Sequence, residues 1–119
     1  MKRDWDVVRK ILLAVEAQET SSGRVEPTSI QGYDEENVVY HMKIMDEAGL
    51  IETWSSATHS GPYRAALSMT WEGHEFLDQI RQDTMWNRVK GGAREKGLDL
   101  SVDVIGQLAK TIIFSMLKT

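Results

Sequence analysis

The chain has 119 residues, a formal net charge of −4 and no cysteine. This length predicts one domain with its own core, and the lack of cysteine excludes a disulfide framework, a thiolate nucleophile and a cysteine-ligated metal. The N-terminal residues 1–6 are too charged for a signal peptide, and no apolar run reaches the ~20 residues that span a bilayer. We therefore expect a soluble cytoplasmic protein with no membrane partner.

The first 33 residues predict a helix, a loop and a short strand. Apolar residues at helical spacing predict a helix from about residue 4 to residue 18. A loop follows at 19–23, and 25–30 can form only a short edge strand because Pro27 cannot donate to a sheet ladder. The turn at Gly32 and Tyr33 leaves no room for a second helix of ordinary length.

The central stretch, residues 34–54, predicts a capped helix, a glycine stop and a strand. Asp34 can cap the helix, and Glu35 and Glu36 suit its positive end. Gly49 can adopt the left-handed conformation that ends helices, with Leu50 folding back on the last turn. One side of this helix is apolar and predicts burial; it comprises Val38, His41, Met42, Met45 and Ala48.

Residues 51–54 and 63–69 predict an antiparallel hairpin with its tip at 57–62. Thr70 can cap a following helix that starts at Trp71, and Gly73 inside that helix suggests a close approach to another backbone. Apolar residues continue the helical period to Val89. The pair Gly91 and Gly92 costs about 2 kcal/mol in a helix, so we expect a break or hinge there.

The tail predicts a second amphipathic helix that Ser101 can cap. Its apolar stripe packs either on the rest of the chain or on a second copy in a homodimer. The residues that would form the dimer contact are Ile105, Leu108, Ile112 and Met116. The expected fold is α+β and mostly helical: a winged helix-turn-helix-like domain at 1–90, with a small antiparallel hairpin as the wing, and a hinge plus an extra C-terminal helix at 91–119.

No catalytic or metal-binding pattern stands out. The three histidines, at positions 41, 59 and 74, lack the spacing of a zinc helix, and no glycine-rich phosphate loop is present. We therefore expect no enzyme activity, no cofactor and no metal. Three of the four tryptophans, at positions 5, 71 and 86, fall on apolar helical faces and predict core packing, whereas the exposure of Trp54 would be informative.

Three motifs resemble a family of small bacterial and prophage proteins known as a domain of unknown function. The motifs are Met1-Lys2-Arg3-Asp4 with Arg9-Lys10-Ile11-Leu12, Tyr40-His41 with Glu47-Ala48-Gly49-Leu50-Ile51, and a stretch running from Thr70-Trp71-Glu72-Gly73-His74-Glu75-Phe76-Leu77-Asp78 to Trp86-Asn87. The resemblance implies a winged-helix fold and carries no activity. A looser similarity to bacterial winged-helix regulators rests on residues 48–51 and 67–73.

Two functions fit this reading. A prophage-type DNA-binding transcription regulator is favoured slightly by analogy of fold, and its contacts would come from Asn37, Tyr40, His41, Lys43, His59 and Arg64. The charge opposes it, because residues 34–47 hold five acidic residues against Lys43 alone. The alternative is a non-catalytic protein-interaction module on a winged-helix scaffold that does not bind DNA.

Overall fold

The computed structural model describes residues 1–117 and contains five helices and one hairpin among them. The chain divides into two compact units, Met1–His74 and a second one that begins at Glu75. The elements in chain order are α1 (Trp5–Glu16), a 3-10 turn (Pro27–Ser29), α2 (Glu35–Glu47), β1 (Ile51–Thr58), β2 (Gly61–Met69), α3 (Trp71–Ile80), α4 (Asp83–Glu95) and α5 (Val102–Leu117).

The core of the first unit is formed by α1, α2 and the inner face of the hairpin. The inner sides of α1 and α2 are buried, the latter at Val38, His41, Met42 and Met45. Ala48, which was predicted to share their burial, is exposed. The predicted strand at 25–30 is wrong beyond its first residue, because only Val25 bridges to β2, exchanging two backbone hydrogen bonds with Ala66. Pro27, which cannot donate to a ladder, instead begins the 3-10 turn.

Helix α2 begins and ends where the sequence predicts. Asp34 occupies the N-cap position in an extended conformation, although its side chain accepts no capping bond. At the other end Gly49 has φ of +77°, its N–H donates to Asp46, and the N–H of Leu50 donates to Met45. These two bonds satisfy carbonyls of the last turn and reverse the chain into β1.

The hairpin is longer than predicted. Its strands pair antiparallel from Ile51 opposite Met69 to Thr58 opposite Gly61, with a register shift between Glu52 and Thr53. Four of the six residues predicted to form the tip, at 57–58 and 61–62, therefore lie in strands, and only His59 and Ser60 form the turn. Thr58 Oγ1 donates a 2.7 Å hydrogen bond to the carbonyl of Gly61, and this bond stabilises the turn.

The start of α3 lies directly against the backbone of Leu50, between α2 and β1, and confirms the predicted role of Gly73. Thr70 caps α3 through a 3.0 Å bond that its Oγ1 accepts from the N–H of Gly73, and its own N–H donates to the Leu50 carbonyl at 3.0 Å. A Cβ on Gly73 would lie 2.1 Å from the Leu50 oxygen and 2.6 Å from Met69 Cγ. Only glycine fits this approach of two backbones.

In the second unit, the predicted break at Gly91 and Gly92 does not occur. Helix α4 runs through both glycines, and a Cβ on Gly92 would lie 3.7 Å from Leu108 Cδ2. That distance is an ordinary van der Waals contact, so α4 packs on α5 at this position, and the packing offsets the low helix propensity of the two glycines. The chain instead breaks between Ile80 and Asp83, and α4 ends where Gly97 takes φ of +65°.

Helix α5 is capped as predicted, since Ser101 Oγ accepts a 3.1 Å bond from the N–H of Val104. Its first half is buried within the chain at Ile105, Leu108 and Ala109. Its second half exposes four large apolar side chains: Ile113, Phe114, Met116 and Leu117. The apolar stripe is therefore covered in its first half and open in its second.

Candidate binding groove

A groove lies between α2 and the hairpin and has a volume of about 1190 Å³. One wall comes from α2 and the other from residues 55–64 of the hairpin, with Met1 at the margin. The α2 residues that line it are Glu35, Glu36, Val39, Tyr40 and Lys43. Because α2 buries its opposite side, the helix backbone that carries these side chains is held in place by the core.

Charge along the α2 wall is unevenly distributed. Glu35 and Glu36 stand in the first turn and Lys43 stands two turns later, with Val39 and Tyr40 half-buried between them. Within residues 1–117 none of these three charged side chains forms an ion pair. The wall therefore presents two carboxylates at one end, one ammonium at the other and an apolar middle.

The one cation on the hairpin wall is already engaged. Arg64 donates a 2.6 Å bond to Thr53 Oγ1, and its Nη1 lies 3.8 Å from Asp46 Oδ2. Asp46 in turn accepts from the backbone N–H and the hydroxyl of Thr53, at 3.1 and 2.6 Å. This network links the last turn of α2 to both strands and places the Asp46 carboxylate beside the Arg64 guanidinium.

His41 is buried in the core, where its ring contacts the backbone at the start of α1 and that of α2. The side chain is fully buried, and its Nε2 lies 2.9 Å from the backbone nitrogen of Asp4 while its Nδ1 lies 2.9 Å from the Asn37 carbonyl. Since the Asp4 N–H donates, Nε2 must be unprotonated, and the ring is neutral with its proton on Nδ1. His41 therefore ties the start of α1 to α2 and does not face the groove.

The remaining predicted contact residues are dispersed. Tyr40, Lys43 and Arg64 line the groove, His59 stands exposed at the hairpin turn, and Asn37 lies half-buried outside the groove lining. The Oδ1 atom of Asn37 is buried and has no hydrogen-bond partner among the described residues. Three of the six residues named from the sequence are thus brought together.

An aromatic cluster that was not predicted from the sequence lies beside the groove. Trp54 is 46% exposed, and the Arg24 guanidinium lies 5.3 Å from its ring centroid. Tyr63, which also lines the groove, meets Trp54 edge-on with centroids 6.0 Å apart. The exposure of Trp71, at 75%, contradicts its predicted core packing, whereas Trp86 is buried as predicted.

A second aromatic contact joins Tyr33, just before α2, to Lys10 of α1. The Lys10 ammonium stands 5.0 Å from the ring centroid of Tyr33. Burial, with smaller contributions from the Asp4 and Asp6 carboxylates, raises the pKa of Tyr33 above its ordinary value of 10.0. Each of these effects disfavours the phenolate, so Tyr33 stays neutral at physiological pH.

Among residues 1–117, no three histidine, aspartate or glutamate side chains are placed to hold a metal ion. None of the helices in that range is both long and apolar enough to cross a membrane.

The arrangement of helices around an antiparallel hairpin, with α2 leading through a glycine into the first strand, defines a mostly helical α+β, winged-helix-like protein. The chain belongs to the family described as "Hypothetical protein (DUF2513)", whose model matches residues 2–99. It is also 46% identical over 117 residues to an "Uncharacterized protein" of Haemophilus influenzae. The matched region covers 98% of this chain and 99% of that protein. The family resemblance drawn from the sequence is confirmed.

Proposed function

We propose that the protein is a non-catalytic, winged-helix-like interaction module that binds a segment of another protein in the groove between α2 and the hairpin. The observation that carries the proposal is the charge of the groove. Its exposed cation is Lys43, while Glu35 and Glu36 occupy the end of α2 that helix-turn-helix proteins direct toward DNA bases.

The rest of the first unit supports the same reading. Residues 1–74 hold seven Lys and Arg against twelve Asp and Glu, a net charge of −5. DNA binding depends on neutralising phosphates with basic side chains. Of the six contact residues predicted for DNA, His41 is buried and Arg64 is held beside Asp46.

DNA binding is the second candidate, and the winged-helix-like arrangement with Lys43 and His59 exposed favours it. Fluorescence anisotropy with a labelled mixed-sequence duplex at about 50 mM salt distinguishes the two functions, since phosphate contacts are strong at low salt. We expect no saturable binding. Saturation at micromolar protein, with an affinity that falls steeply as salt rises, would establish the DNA regulator instead.

A peptide selection tests the interaction module itself. A library of random twelve-residue peptides displayed on phage is selected against the full chain, and synthetic copies of the enriched peptides are titrated. Ala57→Trp should abolish binding because it fills the groove from an exposed position on β1. Ser22→Trp, in an exposed loop outside the groove lining, is the matched control and should bind normally.

We further propose that the chain forms a homodimer through the second half of α5. Residues 111–117 carry no charged side chain, and four of them expose large apolar groups. A second copy offers the same uncharged surface, as a two-fold interface requires. Ile105 and Leu108 are buried within the chain, so the contact shifts from the predicted stripe toward Ile113 and Leu117.

Light scattering on the full chain tests the dimer. We expect twice the mass of one chain, and Leu117→Lys should shift the protein to the monomer because it places an ammonium in an apolar contact. Lys110→Leu, which removes a charge from an exposed position of the same helix, should leave the dimer intact. A monomer at all concentrations for the unaltered chain would contradict the proposal.

A further inference from the structure

We infer that the groove selects an extended peptide segment that carries a basic and an acidic side chain four residues apart, with an apolar side chain between them. The inference rests on the proposed function, because it names the chemistry of the partner in the same groove. Its basis is the order of side chains along the α2 wall, which runs from acidic through apolar to basic.

The spacing follows from helix geometry. Glu35 and Lys43 are eight residues apart on α2, which corresponds to about 12 Å along the helix axis. An extended chain rises about 3.3 Å per residue, so residues i and i+4 stand about 13 Å apart and point to the same side. Residue i+2 then also faces the wall, opposite Val39 and Tyr40.

The hairpin wall favours an extended occupant. Strand β1 pairs with β2 on one side only, and within residues 1–117 no strand pairs with its other edge. Beyond Thr53, whose N–H already donates to Asp46, such an edge can donate and accept backbone hydrogen bonds to an added strand. Hydroxyl groups also line this wall, at Ser55, Ser56, Thr58 and Ser60.

Because Arg64 is already bound to Thr53 and lies beside Asp46, it does not change the order of charges along the groove. Its guanidinium contacts the Thr53 hydroxyl and lies beside the Asp46 carboxylate, so it adds little net charge to the wall. Among the side chains that line the groove, the charges without an opposite charge beside them therefore all belong to α2. A bound segment should place its basic residue near Glu35 and Glu36 and its acidic residue near Lys43.

The test is a peptide selection on three forms of the full chain. The first is the unaltered protein, and the second, E35K/E36K/K43E, inverts the polarity of the α2 wall. The third, E36Q/K43Q, removes one charge from each end of the wall and keeps Glu35 at the start of the helix. Glu47→Lys changes an exposed charge of α2 outside the groove lining and serves as the control. Circular dichroism verifies that each variant is folded.

We expect the unaltered protein and Glu47→Lys to enrich the same charge pattern, and the inverted groove to enrich the reverse order. Peptides selected on the unaltered protein should bind E36Q/K43Q about two- to fivefold more weakly, as for exposed ion pairs. Groove-dependent peptides without the pattern, or the same order on the inverted groove, overturn this inference and leave the proposed function standing. If no selected peptide is lost with Ala57→Trp, the proposed function fails and this inference fails with it.

Discussion

Gly73→Ala should destabilise the protein although alanine is the better helix former. Its Cβ would lie 2.1 Å from the Leu50 oxygen and 2.6 Å from Met69 Cγ. The start of α3 must therefore move away, which breaks or weakens the 3.0 Å bond from the Thr70 N–H to the Leu50 carbonyl. The substitution strains a backbone contact that the chain cannot relieve by rotating a side chain.

The expected size follows from two contributions. Overpacking costs about 1–3 kcal/mol, and the loss of one backbone hydrogen bond costs about 1 kcal/mol. The higher helix propensity of alanine offsets about 1 kcal/mol of this cost. The free energy of unfolding should therefore fall by about 1–3 kcal/mol. At about 4 °C for each kcal/mol, Tm should fall by about 4–12 °C.

Urea and thermal unfolding measured by circular dichroism check this prediction. Gly91→Ala is the matched control, because Gly91 also lies inside a helix and a Cβ there would meet nothing within 4 Å. That variant should be more stable by about 0.5–1 kcal/mol. A Gly73→Ala protein as stable as the unaltered chain would show that α3 and Leu50 are not held in this contact.

Three further predictions concern the contacts around the groove. His41→Leu should lower the free energy of unfolding by about 1–3 kcal/mol in urea, because it leaves the Asp4 N–H without its acceptor; an unchanged midpoint contradicts this. Asp46→Asn should lower it by about 1 kcal/mol, and a double-mutant cycle with Arg64→Met should show coupling between the two residues. The raised pKa of Tyr33 means that the unfolded chain loses its phenolic proton first, so stability should fall as pH rises above about 10. Tyr33→Phe should make that fall smaller, and an identical pH profile contradicts it.

Local rules predicted the parts of the fold that depend on neighbouring residues. The glycine stop at Gly49, the caps at Thr70 and Ser101 and the tight approach at Gly73 are all confirmed. Each depends on a few adjacent residues whose side chains or φ angles admit one conformation. The sequence carries that information directly.

Long-range packing overrode local preference elsewhere. The propensity of Gly91 and Gly92 predicted a break, but close packing of α4 on α5 keeps the helix continuous. Residues 55–58, three of them serine or threonine, were not predicted to be strand, because strand pairing depends on the partner strand as well as on composition.

The candidate site was predictable only in part. The helical period that buries Val38 and Met42 also places His41 on the core side, so its burial could be expected from the sequence. The ion pair between Asp46 and Arg64 joins residues 18 positions apart and has no local signature. The charge available in the groove therefore became clear only from the structure.

The most direct test of the proposed function is a nuclear magnetic resonance titration of the ¹⁵N-labelled full chain with a groove-selected peptide and, separately, with duplex DNA at about 50 mM salt. We expect the peptide to shift amide signals of α2 residues 35–43 and hairpin residues 55–64, and DNA to leave them unchanged. Saturable shifts of those signals by DNA, with no response to any selected peptide, would contradict the interaction module.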